Sequence, residues 1–203
     1  MSKLTVIAAT NNKNKLAEFR DIFEKSGISI ISMAEAGIEV DPEENGLTIE
    51  ENARIKARAV WELCHRPVRA DDTGRFVDAL GGAPGVQTAR YAGEPQSSDR
   101  NIDKLLANLE GVPQAERSCR FLTAICYLDE QGNERMVHGR CEGWIGFERR
   151  GDGGFGYEPV FCLWNNFTLA ELGREKKDQR SHRSRACHKL AFILGNTKKI
   201  RMK

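Results

Sequence analysis

At 203 residues the chain is long enough to bury a core of its own, and its length favours one domain spanning 1–203. Hydrophobic residues at 40% and charged residues at 30% exclude a disordered chain, which lacks the apolar fraction needed to offset its ordering entropy. A net charge of +2 argues against a surface coated for nucleic acid, and the apolar run Leu4 to Ala9 falls far short of the roughly 20 residues of a membrane span, so a cytoplasmic protein with neither partner is expected.

Leu4 to Ala9 is short and rich in β-branched residues, and it stops at Thr10-Asn11-Asn12, the pattern of a buried strand ending in a turn. A helix is expected from Lys15, because Leu16, Phe19, Ile22 and Phe23 share one face and Gly27 is placed to end it. Ile28 to Ile31 reads as a second strand. Thr48-Ile49-Glu50-Glu51 spells a capping box, opening a helix to about Cys64 whose inner face carries Ala53, Ala57, Val60, Trp61 and Cys64. Pro67 leads into an extended Val68-Arg69-Ala70, with Asp71-Asp72-Thr73-Gly74 at the strand's end. Ile102, Leu105, Leu106 and Leu109 define another amphipathic helix, and Cys119 to Leu128 and Arg140 to Phe147 read as strands separated by a turn around Gln131-Gly132-Asn133. Thr168 to Glu171 repeats the capping-box spelling. Ser181 is placed to cap a last helix whose Ala186, Leu190, Ile193 and Leu194 face inward before Gly195 stops it, leaving Lys198, Lys199, Arg201 and Lys203 in a loose tail. Strands and helices alternate early and pair as hairpins later, which predicts an α/β protein with a mixed sheet. The six cysteines include no Cys-x-x-Cys pair and are expected to be reduced and structural.

Four stretches carry groups suited to chemistry. Thr10-Asn11-Asn12-Lys13-Asn14-Lys15 sits at a strand-to-helix junction, where unsatisfied N–H groups and the helix dipole attract anions and the amides and lysines add donors and charge. Phosphate is the expected guest, although the spacing is not that of a Walker loop and an ordinary polar turn explains the residues equally well. Asp71 and Asp72, with Glu43, Glu44, Glu50 and Glu51 upstream, offer the hard oxygens that Mg²⁺ takes, and a carboxylate can also deprotonate a water. Taken alone, adjacent aspartates more often fill a turn. Between Arg150 and Pro159, four glycines let the backbone approach a ligand while Phe155 and Tyr157 offer flat faces to a base; a glycine-rich turn is the plainer reading. Lys177, His182 and Arg183 can donate to phosphate or to a carbonyl on a base edge, or can belong to a solvated helix face.

The order of these motifs is more specific than any one of them. From Ile7 through Arg183 the chain resembles the inosine triphosphate pyrophosphatase family, which hydrolyses noncanonical purine nucleotides. The resemblance is carried by Ala9 to Lys15, Glu44 to Thr48, Glu51-Asn52-Ala53, Ala70 to Gly74, Asp78 to Val86, Ala89-Arg90-Tyr91, Gly154 to Tyr157, and Lys177 with Ser181-His182-Arg183. It implies an elongated mixed β-sheet flanked by helices, two lobes around a nucleotide-binding cleft, a homodimer, and Mg²⁺-dependent conversion of ITP, dITP or XTP to monophosphate and pyrophosphate. Lys15 and the residues before it, Thr10, Asn11, Asn12, Lys13 and Asn14, would hold the triphosphate. Glu44 and Asp72 would bind the metal, and Asp72 would also be the base. Thr73 would contact the substrate, Phe155, with Gly156, Tyr157 and Glu158 around it, would stack on the purine, and Lys177, His182 and Arg183 would complete the pocket. A related hydrolase with a different base pocket, or a non-catalytic nucleotide- or RNA-binding module, are the alternatives. The chain departs from the family's pattern at Asn14, usually Gly or His, at Arg69, usually apolar, and at Arg75-Phe76, usually a pair containing Leu. It departs again at Glu158, usually Asp, where the longer acid either displaces its carboxylate and weakens discrimination between ITP and GTP, or is absorbed by a backbone shift at Gly153, Gly154 and Gly156.

Overall fold

In the computed structural model, which describes residues 3–153, 155–173, 176 and 179–200 (backbone alone from 196), the first apolar run forms strand β1, Leu4–Ala8. Helix α1 follows at Lys13–Glu24, burying Phe19, Ile22 and Phe23. Gly27, at φ +70°, takes the left-handed conformation that a side chain disfavours and returns the chain as β2, Ile28–Ser32, parallel to β1 in the register Leu4↔Ile28 to Ala8↔Ser32. Helix α2, Ile49–Cys64, begins with both reciprocal bonds of the expected capping box between Thr48 and Glu51.

Strand β3, Val68–Val77, pairs in parallel with β1 at Ile7↔Val68 and Ala8↔Arg69. It corrects the expected placement of Asp71-Asp72-Thr73-Gly74, which lies in the middle of the strand. The extension continues because β4, Pro84–Gly85, supplies an antiparallel partner for Arg75 and Phe76. Helix α3, Ser98–Asn108, is capped by Ser97. Strands β5, Ser118–Leu128, and β6, Glu134–Ile145, follow. β6 starts earlier than the expected Arg140, since Asp129 closes the turn by accepting from the N–H groups of Gln131 and Asn133 at 2.9 Å each. Its alternation then buries Val137, Gly139, Cys141, Gly143 and Ile145.

Strand β7, Phe161–Cys162, pairs antiparallel with β6, completing a mixed sheet in the order β2-β1-β3-β5-β6-β7, with β4 on β3. Thr168 and Glu171 do exchange the two capping bonds, at 2.7 and 3.1 Å, but they close a turn: Thr168 bridges to Cys162, and no helix follows through residue 173. The last helix, α4, His182–Ile200, runs through Gly195 and takes in the first residues of the expected loose tail. A glycine inside a helix costs only about 1 kcal/mol relative to alanine, less than the burial of this helix's Leu190 and Leu194 returns.

The chain divides into two compact units. The first comprises Met1–Asp72, Thr123–Gly139 and Arg183–Lys203, and the second Thr73–Leu122 and Arg140–His182. Each has its own apolar core. In the first, Phe19, Phe23, Ile28, Ile125 and Leu190 pack together. In the second, Ile102, Leu105, Phe121, Ile145 and Phe161 do so. All six cysteines are thiols, and all but the half-buried Cys64 are buried. No helix among the described residues is long and apolar enough to cross a membrane.

Candidate active site

In the first unit, β1 delivers the chain to the start of α1. Thr10 Oγ1 accepts from the Asn12 N–H at 3.2 Å, and Asn12 Oδ1 accepts from the N–H groups of Asn14 and Lys15 at 3.0 and 3.1 Å. These two side chains therefore shape the turn and cap the helix, while Asn11, Lys13 and Asn14 are exposed. Lys15 turns inward, its Nζ 3.0 Å from Asp71 Oδ2.

Side chains alternate across an extended strand, so the adjacent aspartates of β3 point to opposite faces. Asp71 is buried with Lys15 at 3.0 Å, Arg69 at 3.5 Å and Arg183 at 3.7 Å. Burial pushes its carboxyl pKa up, but Lys15, Arg69, Arg183 and Lys56 together outweigh that and hold it well below the ordinary carboxylate range. The Lys15 ammonium is itself lowered, because its desolvation exceeds what Asp71 returns.

Asp72 meets different company. Its Oδ1 is 3.3 Å from Lys56 Nζ and its Oδ2 accepts from Asn52 Nδ2 at 3.3 Å, while Lys56 Nζ also lies 2.7 Å from Glu44 Oε2. Burial raises the Asp72 pKa; Lys56 and Lys15 oppose this, and Glu44 and Asp71 add to it. Asn52 uses its other end to accept from the Gly46 N–H at 2.8 Å, which fixes the segment carrying Glu44 against α2. A Cβ on Gly46 would lie 2.7 Å from that amide oxygen, so the close approach requires glycine. Glu44 and Asp72 thus converge on one cation with hard oxygen donors, the set that suits a divalent ion bound beside phosphates.

The second unit holds the glycine-rich turn. Gly156 takes φ +64°, and Glu158, buried, reaches back so that its Oε2 accepts the Phe155 N–H at 2.9 Å. Tyr157 is 2% exposed; its hydroxyl donates to the Thr88 carbonyl at 2.9 Å and its ring faces the Arg75 guanidinium at 4.8 Å. Tyr157 is thus committed to this packing, and Phe155 is half-buried. Thr73 is buried, and His182 is buried with its ring edge-on to Phe121 at 5.4 Å. Arg183, the next residue, is in the first unit, where its Nη1 donates to Glu18 Oε2 at 2.7 Å. Lys177 lies outside the described residues.

The sequence reading missed Asn52 and Lys56 and gave Asp71 no separate role. The available signal was spacing: positions 52 and 56 are one helical turn apart and share a face of α2. What they face depends on where β3 lies, which local pattern does not contain.

Residues 6–193 match the Ham1 family. The chain belongs to that family. A dITP/XTP pyrophosphatase of Halalkalibacterium halodurans is 44% identical over 185 residues, 91% of this chain and 95% of that protein. One from Geobacillus kaustophilus is 45% identical over 186 residues, 91% of each chain. Among solved structures, a HAM1 protein from Coxiella burnetii superposes with a TM-score of 0.86 at 37% identity, covering 95% of this chain and 99% of that one. Family membership accords with the mixed α/β architecture and with the motif order from Ile7 to Arg183.

Proposed function

We propose that the chain is a nucleoside triphosphate pyrophosphatase that removes noncanonical purine nucleotides, converting ITP, dITP or XTP to the monophosphate and pyrophosphate. The observation that carries this reading is the meeting of Glu44 and Asp72 at a single cation, in the same unit as the Lys15–Asp71 pair, in a member of the Ham1 family.

In this reading Lys15 and the α1 N-terminus, shaped by Thr10 to Asn14, bind the phosphates. Glu44 and Asp72 hold Mg²⁺, which supplies charge neutralisation on the phosphate oxygens. Asp72, oriented by Asn52, accepts a proton from the water that attacks the α-phosphorus. The new P–O bond forms as the bond from the α-phosphorus to the α–β bridging oxygen breaks, and pyrophosphate carries away the electron pair. Lys56 offsets charge between the two carboxylates. Phe155 stacks on the purine with its turn set by Gly156, Tyr157 and Glu158, and Thr73, Lys177, His182 and Arg183 complete substrate recognition. Inosine and xanthine present a carbonyl at the purine 6-position, which suits donors; adenine presents an amino group that leaves such donors unpaired. A cytoplasmic homodimer completes the proposal.

The test is product analysis with ITP, XTP, dITP, GTP and ATP in the presence of Mg²⁺. Pyrophosphate is expected from the first three at rates far above that from ATP. Orthophosphate as the product, or no preference over ATP, overturns the reading.

A further inference from the structure

Arg69 is the bulkiest fully buried side chain among the described residues. Its guanidinium carbon lies 3.3 Å from the centroid of the Phe19 ring and 6.0 Å from that of Phe23, so it stacks on the inner face of α1. Its Nη2 is 3.5 Å from Asp71 Oδ1, yet none of its three nitrogens has a hydrogen-bond partner. Buried donors left in this state cost roughly 1–3 kcal/mol each, and an apolar side chain on Phe19 would avoid that penalty. Packing alone does not account for a guanidinium here.

The charges around it do. Asp71 Oδ2 faces Lys15 at 3.0 Å and Arg183 at 3.7 Å, and Arg183 is also bound by Glu18 at 2.7 Å. Lys15 and Arg183 thus approach Asp71 at Oδ2, and Arg69 approaches it at Oδ1. Side-chain exposure separates their roles: Lys15 is 18% exposed, whereas Arg69 is 0%, Asp71 1% and Arg183 3% exposed. Of the cations, Lys15 reaches the surface.

We propose that Arg69 is a positioning residue that compensates Asp71 from the Oδ1 side, so that the Lys15 ammonium can turn from Oδ2 to a phosphate group without leaving a bare buried carboxylate behind. This inference rests on the phosphate-binding role given above to Lys15.

Two measurements separate it from that reading. The first is calorimetric binding of inorganic tripolyphosphate, which needs no turnover, and the second is the KM and kcat for ITP. Arg69→Met keeps an apolar contact with Phe19 and removes the charge; it is expected to weaken tripolyphosphate binding and raise the KM roughly tenfold, about 1.4 kcal/mol, with kcat within about twofold of the parent. Arg69→Lys restores most of the affinity. In a Lys15→Ala background Arg69→Met adds little, because its effect runs through Lys15. Unchanged tripolyphosphate affinity in Arg69→Met, or a full tenfold loss in the Lys15→Ala background, overturns the proposal. If Arg69→Met does not fold, Arg69→Lys decides: near-parent affinity supports a charge role, and a tenfold loss overturns it. A parent that binds tripolyphosphate but releases no pyrophosphate from ITP removes the proposed function while leaving this inference to the binding data.

Discussion

Asp71 and Asp72 are covalent neighbours whose side chains serve different ends, because strand geometry sends them to opposite faces. Asp71 sits among three cations and is buried; Asp72 shares Lys56 with Glu44 and keeps some exposure. Neutralising each to the amide is therefore expected to separate stability from turnover. Asp71→Asn leaves buried cations uncompensated and should lose about 3–5 kcal/mol in urea unfolding. Asp72→Asn should abolish pyrophosphate release while unfolding near the parent midpoint, since it removes the proposed base and metal ligand; near-normal kcat would place water activation elsewhere. Glu158 shows a side chain whose length is used. Of the two outcomes open to the longer acid, its bond from the Phe155 N–H at 2.9 Å favours accommodation. Glu158→Asp is accordingly expected to raise the KM for ITP severalfold without improving the ratio of specificity constants for ITP over GTP. A higher ratio in the variant would restore the simpler view that this pocket prefers the shorter acid.

Helix α2 is held from two sides. On one, Asn52 and Lys56 engage Asp72 and Glu44; on another, Arg54 and Arg58 bind Glu134 of β6, with Arg54 Nε donating at 2.9 and 3.0 Å. The hydrogen bonds from Arg54, then its charge and those of Arg58, hold the Glu134 carboxyl below its ordinary value. The unfolded carboxyl titrates near 4.3, so the stabilisation is complete above that pH and fades as the pH falls through the lower, folded value. Glu134→Gln should lower the Tm at neutral pH by an amount equivalent to no more than about 1 kcal/mol, because the partners are partly exposed, and the difference from the parent should shrink below about pH 4. A difference that grows on acidification would reverse the sign argued here. Elements set by local chemistry were legible in the sequence: the Thr48–Glu51 capping box and the end of α2 at Cys64 fall where the side chains put them. The length of β3 and the start of β6 were not, because a strand extends as far as its partners do, and β4 and the Asp129 turn are decided elsewhere in the chain. The same holds for the site: motif order pointed to Glu44, Asp72 and Lys15, whereas Lys56 became visible only once α2 and β3 were in place.

At the scale of the molecule, β3, β5 and β6 each pass from one compact unit into the other, so neither unit is a continuous piece of chain. The order of motifs conveyed the family, and the apolar periodicity conveyed an α/β chain, but the division into two cores follows from long-range packing that no local window holds. The distribution of thiols supplies a way to observe that division. Cys126 and Cys187 lie in the first unit and burial pushes both thiols up to about 12; Cys119, Cys141 and Cys162 lie in the second, and burial raises Cys119 and Cys162 as well. Native protein treated with an alkylating reagent should label quickly at Cys64 and slowly at the other five. If the shared strands make unfolding one event, those five labels arrive at a common rate; two distinct rates, sorted by unit, would show that the halves open separately. Because the attacking species is the thiolate, a shielded thiol stays silent until its surroundings part. The chain thus carries five stopwatches, two in one half and three in the other, each started by the breach of the core around it.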